Sequence, residues 1–242
     1  MKEYKILGLK VNLIAEYQLK NKLAEFINSD KAHQIITLNP EFIVNAQKNE
    51  KFFNIINQAS LSLIDGGGII KALQYLGHDV SLDDRITGVT LNKILIDLSL
   101  SHNLKILFCL YSQGLTKKDK FKNLMKDKYP NLNFEVADEN NSLEIANAFL
   151  PALILVGYGA PYQDIWIADN INKMPSVKIA AGVGGTFDFM SGTIKRAPKI
   201  MQSLSLEWLW RLLLQPKRAI RIARAVIVFP YMVFKNKEHK YA

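Results

Sequence analysis

The 242-residue chain predicts an α/β protein, a mainly parallel sheet with helices on both faces, carrying a basic amphipathic helical appendage at its C-terminus. Three observations lead there. Short apolar runs alternate with helix-length amphipathic segments, which implies crossover connections and a covered parallel sheet. Hydrophobic residues make up 49% of the chain, enough to fill a sizeable core. The net charge of +9 lies entirely in residues 195–242, which hold eleven Lys or Arg and two acids, while residues 1–194 hold twenty bases and twenty acids.

In order, YKILGLKV (4–11), HQIITLN (33–39), LSLI (61–64), KILFCLY (105–111), NFEVA (133–137), ALILVG (152–157) and VKIAAGVG (177–184) read as strands. Helical patterns fill 16–28, 40–58, 68–77, 88–102, 115–128, 142–149 and 161–171, with Pro40 and Pro161 at positions where a helix tolerates proline. No repeat or low-complexity tract interrupts this body, so residues 1–194 read as one α/β domain and 195–242 as the appendage. In the appendage, SLSLEWLWRLLLQ (203–215) is helical, Pro216 breaks or kinks it, and KRAIRIARAVIVFPYMVFK (217–235) starts a second helical pattern.

Five of the six arginines, Arg196, Arg211, Arg218, Arg221 and Arg224, lie in that appendage, and only Arg85 lies in the body. A lysine-rich chain that switches to arginine in one place is suited to phosphate there, because the guanidinium fork binds phosphate oxygens bidentately. Arg218, Arg221 and Arg224 recur every three residues, a charged stripe that drifts slowly around a helix. The apolar run that follows, Ala225 to Phe234, is ten residues long and contains Pro230. Crossing a bilayer takes roughly 20 apolar residues, so this run suits lying in an anionic membrane surface, or packing on the body. Trp208, Trp210 and Tyr231 are candidate interface anchors, with Trp208 equally suited to packing on the body.

Several function classes fail on spacing. The single cysteine, Cys109, lies in an apolar run, which excludes disulfides and fits a buried thiol in a reducing compartment. The N-terminus, MKEYKILGLKV, has too short an apolar stretch for a signal peptide, and a cytoplasmic protein is expected. No Walker loop occurs, and GYGAPY (157–162) and GVGGTF (182–187) both break the dinucleotide fingerprint, which disfavours an NAD-linked enzyme. His33, His78, His102 and His239 are scattered, and no Asp-x-Asp pair exists to hold a cation on a diphosphate. Nucleic-acid binding explains a basic stripe but not the apolar run it enters.

In parallel sheets ligands sit beyond the carboxyl ends of the strands. Polar and glycine residues collect at four such ends: Thr37-Leu38-Asn39-Pro40, Asp65-Gly66-Gly67-Gly68, the Gly157-Tyr158-Gly159 turn running to Gln163, and Gly182-Val183-Gly184-Gly185-Thr186. Asp65 at the mouth of a glycine turn reads as a turn residue, a metal ligand or a general base, and the missing Asp-x-Asp removes its most obvious metal partner.

The motifs TLNPEF, IDGGGI, DRITG, VGYGAPYQDIW, GVGGTFDFMSGTIKRAP and LSLEWLWRLLLQPKR, in that order over roughly residues 4–230, resemble the WecG/TagA/CpsF family of glycosyltransferases. The resemblance implies a Rossmann-like fold and an inverting transfer that needs no metal or other cofactor. Donor and acceptor would be a UDP-sugar, typically of N-acetylmannosamine or its uronic acid, and the C4 hydroxyl of N-acetylglucosamine on undecaprenyl diphosphate. It also implies a site at the inner face of the bacterial cytoplasmic membrane and a product used in wall teichoic acid, enterobacterial common antigen or capsule. The family's catalytic base falls on Asp65, its acceptor-facing threonine and asparagine on Thr37 and Asn39, its body arginine on Arg85 and its glutamine on Gln163. Its tail arginines correspond to some of Arg211, Arg218, Arg221 and Arg224. Where the family pattern reads G-x-P-K-Q-E-x-W this chain reads GAPYQDIW, with Tyr162 for lysine and Asp164 for glutamate.

The residues agree with that chemistry. A carboxylate without a metal partner or a nearby His is better explained as a base than as a ligand, and glycines beside it let a sugar approach the backbone. A diphosphate held without a metal needs arginines and the backbone N–H groups of glycine turns, at Gly157, Gly159, Gly184 and Gly185. Asp188 suits ribose hydroxyls, or a helix start stabilised by the dipole. The arginine-poor body suggests that the tail completes the site when its apolar segment rests on membrane. A non-catalytic, membrane-docked adaptor with a nucleotide-binding fold is the alternative. The expected partners are therefore the UDP-sugar, the lipid-linked acceptor and an anionic membrane surface, without nucleic acid; UDP-glucose as donor and a homo-oligomer stay open.

Overall fold

The computed structural model describes residues 1–198, 200, 201, 204 and 206–241, with the side chains of 217 and 237–241 left aside. Ser203 and Ser205, part of the helix expected over 203–215, lie outside the described residues.

One eight-stranded sheet runs in the order β1-β2-β4-β3-β8-β7-β5-β6. Its strands are β1 (Lys2–Ile6), β2 (Leu9–Leu13), β3 (His33–Leu38), β4 (Leu61–Ile64), β5 (Ile106–Leu110), β6 (Phe134–Asp138), β7 (Leu153–Gly157) and β8 (Ile179–Gly182). Every pairing is parallel except β1 with β2. The single strand expected over 4–11 is therefore a hairpin. Leu7 and Gly8 take φ of 49° and 79°, the left-handed turn whose twist matches that of the flanking strands.

The helices of the body are α1 (Glu16–Ile27), α2 (Pro40–Ala46), α3 (Glu50–Gln58), α4 (Gly67–Tyr75), α5 (Gly88–Ser101), α6 (Lys118–Lys128), α7 (Ser142–Phe149), α8 (Tyr162–Asn170) and α9 (Thr186–Met190). The helix expected over 40–58 is two, because Asn49 caps α3 by accepting from the Phe52 N–H and ends the first run. Strand residues are buried on both faces. Ile35, Leu63 and Phe108 join the core under α1, α5 and α6, while their neighbours Ile36, Leu38 and Ile64 join a second core under α2, α3 and α4. A third cluster, with Cys109, Ile154 and Val156, lies under α7 and α8. Burial pushes the Cys109 thiol up to about 12, as expected for an inert thiol.

The appendage consists of α10 (Glu207–Leu214), a 3₁₀ turn (Pro216–Arg218), α11 (Ala219–Ala223), a π turn (Arg224–Val228) and α12 (Phe229–Tyr241). The π turn lies just before Pro230, and its Phe229 N–H reaches back to the Arg224 carbonyl. A widened turn there relieves the clash and missing donor that proline brings to a helix interior. Phe229 and Val233 are buried in the second core, Ile227 and Tyr231 remain exposed, and half-exposed Phe234 meets Tyr75 of α4. The apolar run is thus split, one edge packed on the body and the other facing out. Complete burial of a Phe side chain contributes about 1.5–3 kcal/mol, which fastens this helix to α2 and α4.

Candidate functional site

Strand register sets the site. Leu38 pairs with Ile64, Ile36 and Val156 both pair with Gly182, and Leu110 pairs with Gly157, so five strands finish at nearly one level. The turns beyond them form the floor of a cavity of about 990 Å³, and α10 to α12 form its roof. Thr37, Asn39, Asp65, Arg85, Gly157, Gly159, Gly184, Gly185, Asp188, Arg211, Arg218 and Arg221 all line it. Gln163 and Arg224 do not.

Asp65 follows β4 with its backbone N–H bonded to the Leu38 carbonyl at 2.9 Å, near Gly88, the first residue of α5. Burial pushes its pKa up to about 6; Arg211 opposes this, Glu207 adds to it, and the Gly88 N–H and Arg85 oppose it further. A Cβ on Gly66 would meet Pro40 at 2.6 Å, and one on Gly68 would meet it at 2.8 Å. The glycine turn therefore lets the start of α2 pack directly beside the acid.

Thr37 is buried and donates from Oγ1 to the Gly182 carbonyl at 2.9 Å, joining β3 to β8 across the centre of the sheet. Asn39 caps α2, its Oδ1 accepting from the Phe42 N–H at 3.2 Å. Arg85 donates from Nε to the Leu82 carbonyl at 2.9 Å, and its Nη1 lies 3.7 Å from Glu207 Oε2 in the roof. Asp188 sits in the first turn of α9 and accepts from Thr116 Oγ1 at 2.7 Å.

Gly185 marks the most cationic part of the cavity. A Cβ there would lie 3.7 Å from Arg211 Nη2 and 3.9 Å from Arg218 Nη2, with Asp188 Oδ2 at 3.5 Å. Arg211 stacks over the Phe189 ring at 4.6 Å, and burial lowers its pKa. Burial first, then Arg211 and Arg221, bring Arg218 down to about 10. Arg218 is repelled by Arg211 and Arg221 more than it is drawn to Asp188 and Glu41, an arrangement that favours an anion beside it, whereas Arg211 is drawn chiefly to Asp65 and Glu207.

Gln163 is completely buried, and its Oε1 accepts from the N–H groups of Gly159 at 3.1 Å and Gly184 at 2.9 Å. It fastens two glycine turns together from behind instead of facing a ligand. Arg224 points away, with Nη1 3.4 Å from Asn45 Oδ1. Trp208 and Trp210 line the cavity, and Trp210 Nε1 donates to the Lys195 carbonyl at 2.9 Å, which turns these two expected interface anchors inward. Glu41, Lys71, Thr116 and Glu207 also line the cavity without having been singled out by sequence. Glu207 was detectable as one of only two acids in a basic tail.

Among the described residues no three His, Cys, Asp or Glu side chains gather where a metal ion could be held, and no helix is long and apolar enough to cross a membrane.

The fold and site are thus a mainly parallel α/β sheet whose strand ends place one carboxylate in a cavity shared with a cluster of arginines. The sequence profile of the glycosyl transferase WecG/TagA/CpsF family matches residues 4–242, so the chain belongs to that family and is a glycosyltransferase. A relative from Staphylococcus aureus strain MRSA252 is 29% identical over 241 residues, covering 96% of this chain and 92% of its own length. Its counterpart in strain NCTC 8325 / PS 47 is 28% identical with the same coverage. Both relatives are named N-acetylglucosaminyldiphosphoundecaprenol N-acetyl-beta-D-mannosaminyltransferase.

Proposed function

We propose that the protein transfers N-acetylmannosamine from its UDP conjugate to the C4 hydroxyl of N-acetylglucosamine carried on undecaprenyl diphosphate, with inversion and without a metal. The observation that carries this reading is the sharing of one cavity by Asp65, with its pKa of about 6, and the guanidiniums of Arg211 and Arg218. The relatives' names supply the sugar and the lipid.

In this reading the Asp65 carboxylate takes the proton of the acceptor hydroxyl as its oxygen attacks the anomeric carbon. The bond from that carbon to the β-phosphate oxygen breaks, and its electron pair leaves with UDP. A single in-line displacement inverts the anomeric centre. Arg211 and Arg218 bear the charge growing on the diphosphate, and Arg85, held by Leu82 and Glu207, adds a further positive charge near Asp65. Thr37 and Asn39 shape the acceptor end, while Gly157, Gly159, Gly184 and Gly185 offer backbone to the donor and Asp188 accepts from its ribose. The roof helices exclude water, and their outward residues Ile227 and Tyr231 rest on the inner face of the cytoplasmic membrane.

Incubating the protein with UDP-N-acetylmannosamine, its uronic acid and UDP-glucose, together with a synthetic N-acetylglucosamine diphospholipid, tests this by the mass of the product. Addition of one N-acetylhexosamine, undiminished by a chelator, is expected. Failure of UDP release with every donor would favour an adaptor.

A further inference from the structure

The cavity is mixed in character. One end holds Asp65 and the guanidiniums; the other is a groove between α4 and the C-terminal helix. On α4, Gly68, Lys71, Ala72 and Tyr75 line it at i, i+3, i+4 and i+7, one face of a helix that starts two residues after Asp65. On the facing segment the lining passes from Arg218 of the 3₁₀ turn and Arg221 of α11 to Phe229, Val233 and Phe234 of α12. Beyond Lys71 on one wall and the guanidiniums on the other, the lining is therefore mainly aliphatic and aromatic. Tyr75 and Phe234, each nearly half exposed, meet at the far end with ring centroids 6.3 Å apart.

We propose that this groove is a binding site for the prenyl chain of the acceptor, seating its first units beyond the diphosphate, with Lys71 at the junction. The occupant has to be charged at one end and aliphatic at the other, because the two ends belong to a single cavity. Apart from the flat faces of its uracil and sugar rings, a sugar nucleotide offers no apolar surface to these walls. The groove runs about 10 Å along α4 from Gly68 to Tyr75, at 1.5 Å per residue. The inference rests on the proposed lipid acceptor, and it separates the groove-lining face of the tail helix, where Phe234 stays accessible beside buried Phe229 and Val233, from outward residues such as Ile227.

Binding of farnesyl diphosphate and of methyl diphosphate, both soluble and without any membrane, is compared by calorimetry. Burial of even two or three methylenes in the groove makes farnesyl diphosphate bind at least about tenfold more tightly. Phe234→Asp and Tyr75→Glu, both at exposed positions, bring that ratio close to one, and Ile227→Asp on the outward face keeps it. Equal affinities in the unmodified protein, or a ratio untouched by both groove variants, would overturn the proposal. Transfer to N-acetylglucosamine diphosphates bearing the same two tails is measured on the same preparations. A farnesyl preference in binding with no transfer to either acceptor would sink the proposed reaction and leave the groove standing; transfer with no preference would sink the groove alone.

Discussion

Arg221 of the C-terminal segment donates from Nε and Nη2 to the two carboxylate oxygens of Glu41, at 2.7 and 3.0 Å, across 180 positions of sequence. Glu41 stands in the first turn of α2, two residues after Asn39. The pair therefore pins the basic roof to the floor beside the proposed acceptor end and leaves Nη1 of Arg221 available to a phosphate oxygen.

Glu41→Ala should loosen that roof without unfolding the body. Arg221 is well exposed to solvent, so the pair contributes only about 1 kcal/mol, roughly a fivefold rise in KM for the acceptor. Limited proteolysis after tail arginines should quicken in the same variant. An unchanged KM and digestion pattern would show that the pair does not hold the roof.

Arg211 and Arg218 face Gly185 together, so each should matter to the leaving diphosphate. Arg211→Ala and Arg218→Ala are each expected to lower kcat by about 10²-fold or more, as when one preorganised charge stabiliser is removed. Arg211→Lys should recover only part of this, because lysine keeps the charge but loses the planar stack on Phe189. Steady-state kinetics with saturating donor would show it.

The Gln163 side chain is the acceptor for two backbone N–H groups. Gln163→Leu leaves both without it, at a cost of about 1–3 kcal/mol for each that stays buried. A fall in Tm with a raised donor KM is expected, and a change in neither would remove Gln163 from the scaffold of the site.

Asp164 is completely buried and its pKa is pushed up to about 7 by burial, with the Gln163 side chain opposing. Between its ordinary value near 4 and about 7 the folded protein holds a proton that the unfolded chain has released. Stability should therefore fall as pH rises through that window and level off above it. Asp164→Asn should flatten this part of the curve in denaturant titrations run from pH 5 to pH 8. A slope identical to that of the unmodified protein would place the proton elsewhere.

The strand ends were legible because each apolar run stops abruptly at glycine or a polar group, and twelve of the fourteen candidate site residues line one cavity. Periodicity could not reveal the turn at Leu7 and Gly8, since the apolar alternation continues through it. The break between α2 and α3 was hidden for a related reason: Gln47, Lys48 and Asn49 include neither glycine nor proline. That Gln163 and Arg224 lie outside the cavity lining was not legible, because a polar group beside a motif looks the same whether it lines a cavity or meets its own backbone. The apolar run of the tail posed the same ambiguity, as a helix face suited to lipid is equally suited to α2 and α4. Phe229 and Val233 face the protein, and only coordinates separate them from Ile227 and Tyr231.

If Asp65 removes the acceptor proton, the pH dependence of kcat/KM carries its titration. Asp65 is ionised, and able to act as a base, above a pKa of about 6. The rate should rise tenfold per pH unit below that value and flatten above it. In Asp65→Asn the inflection should vanish and kcat should drop by about 10²–10⁴-fold while UDP-sugar binding persists. An Asp65→Asn variant that keeps near-normal kcat, or the same inflection, would contradict the account.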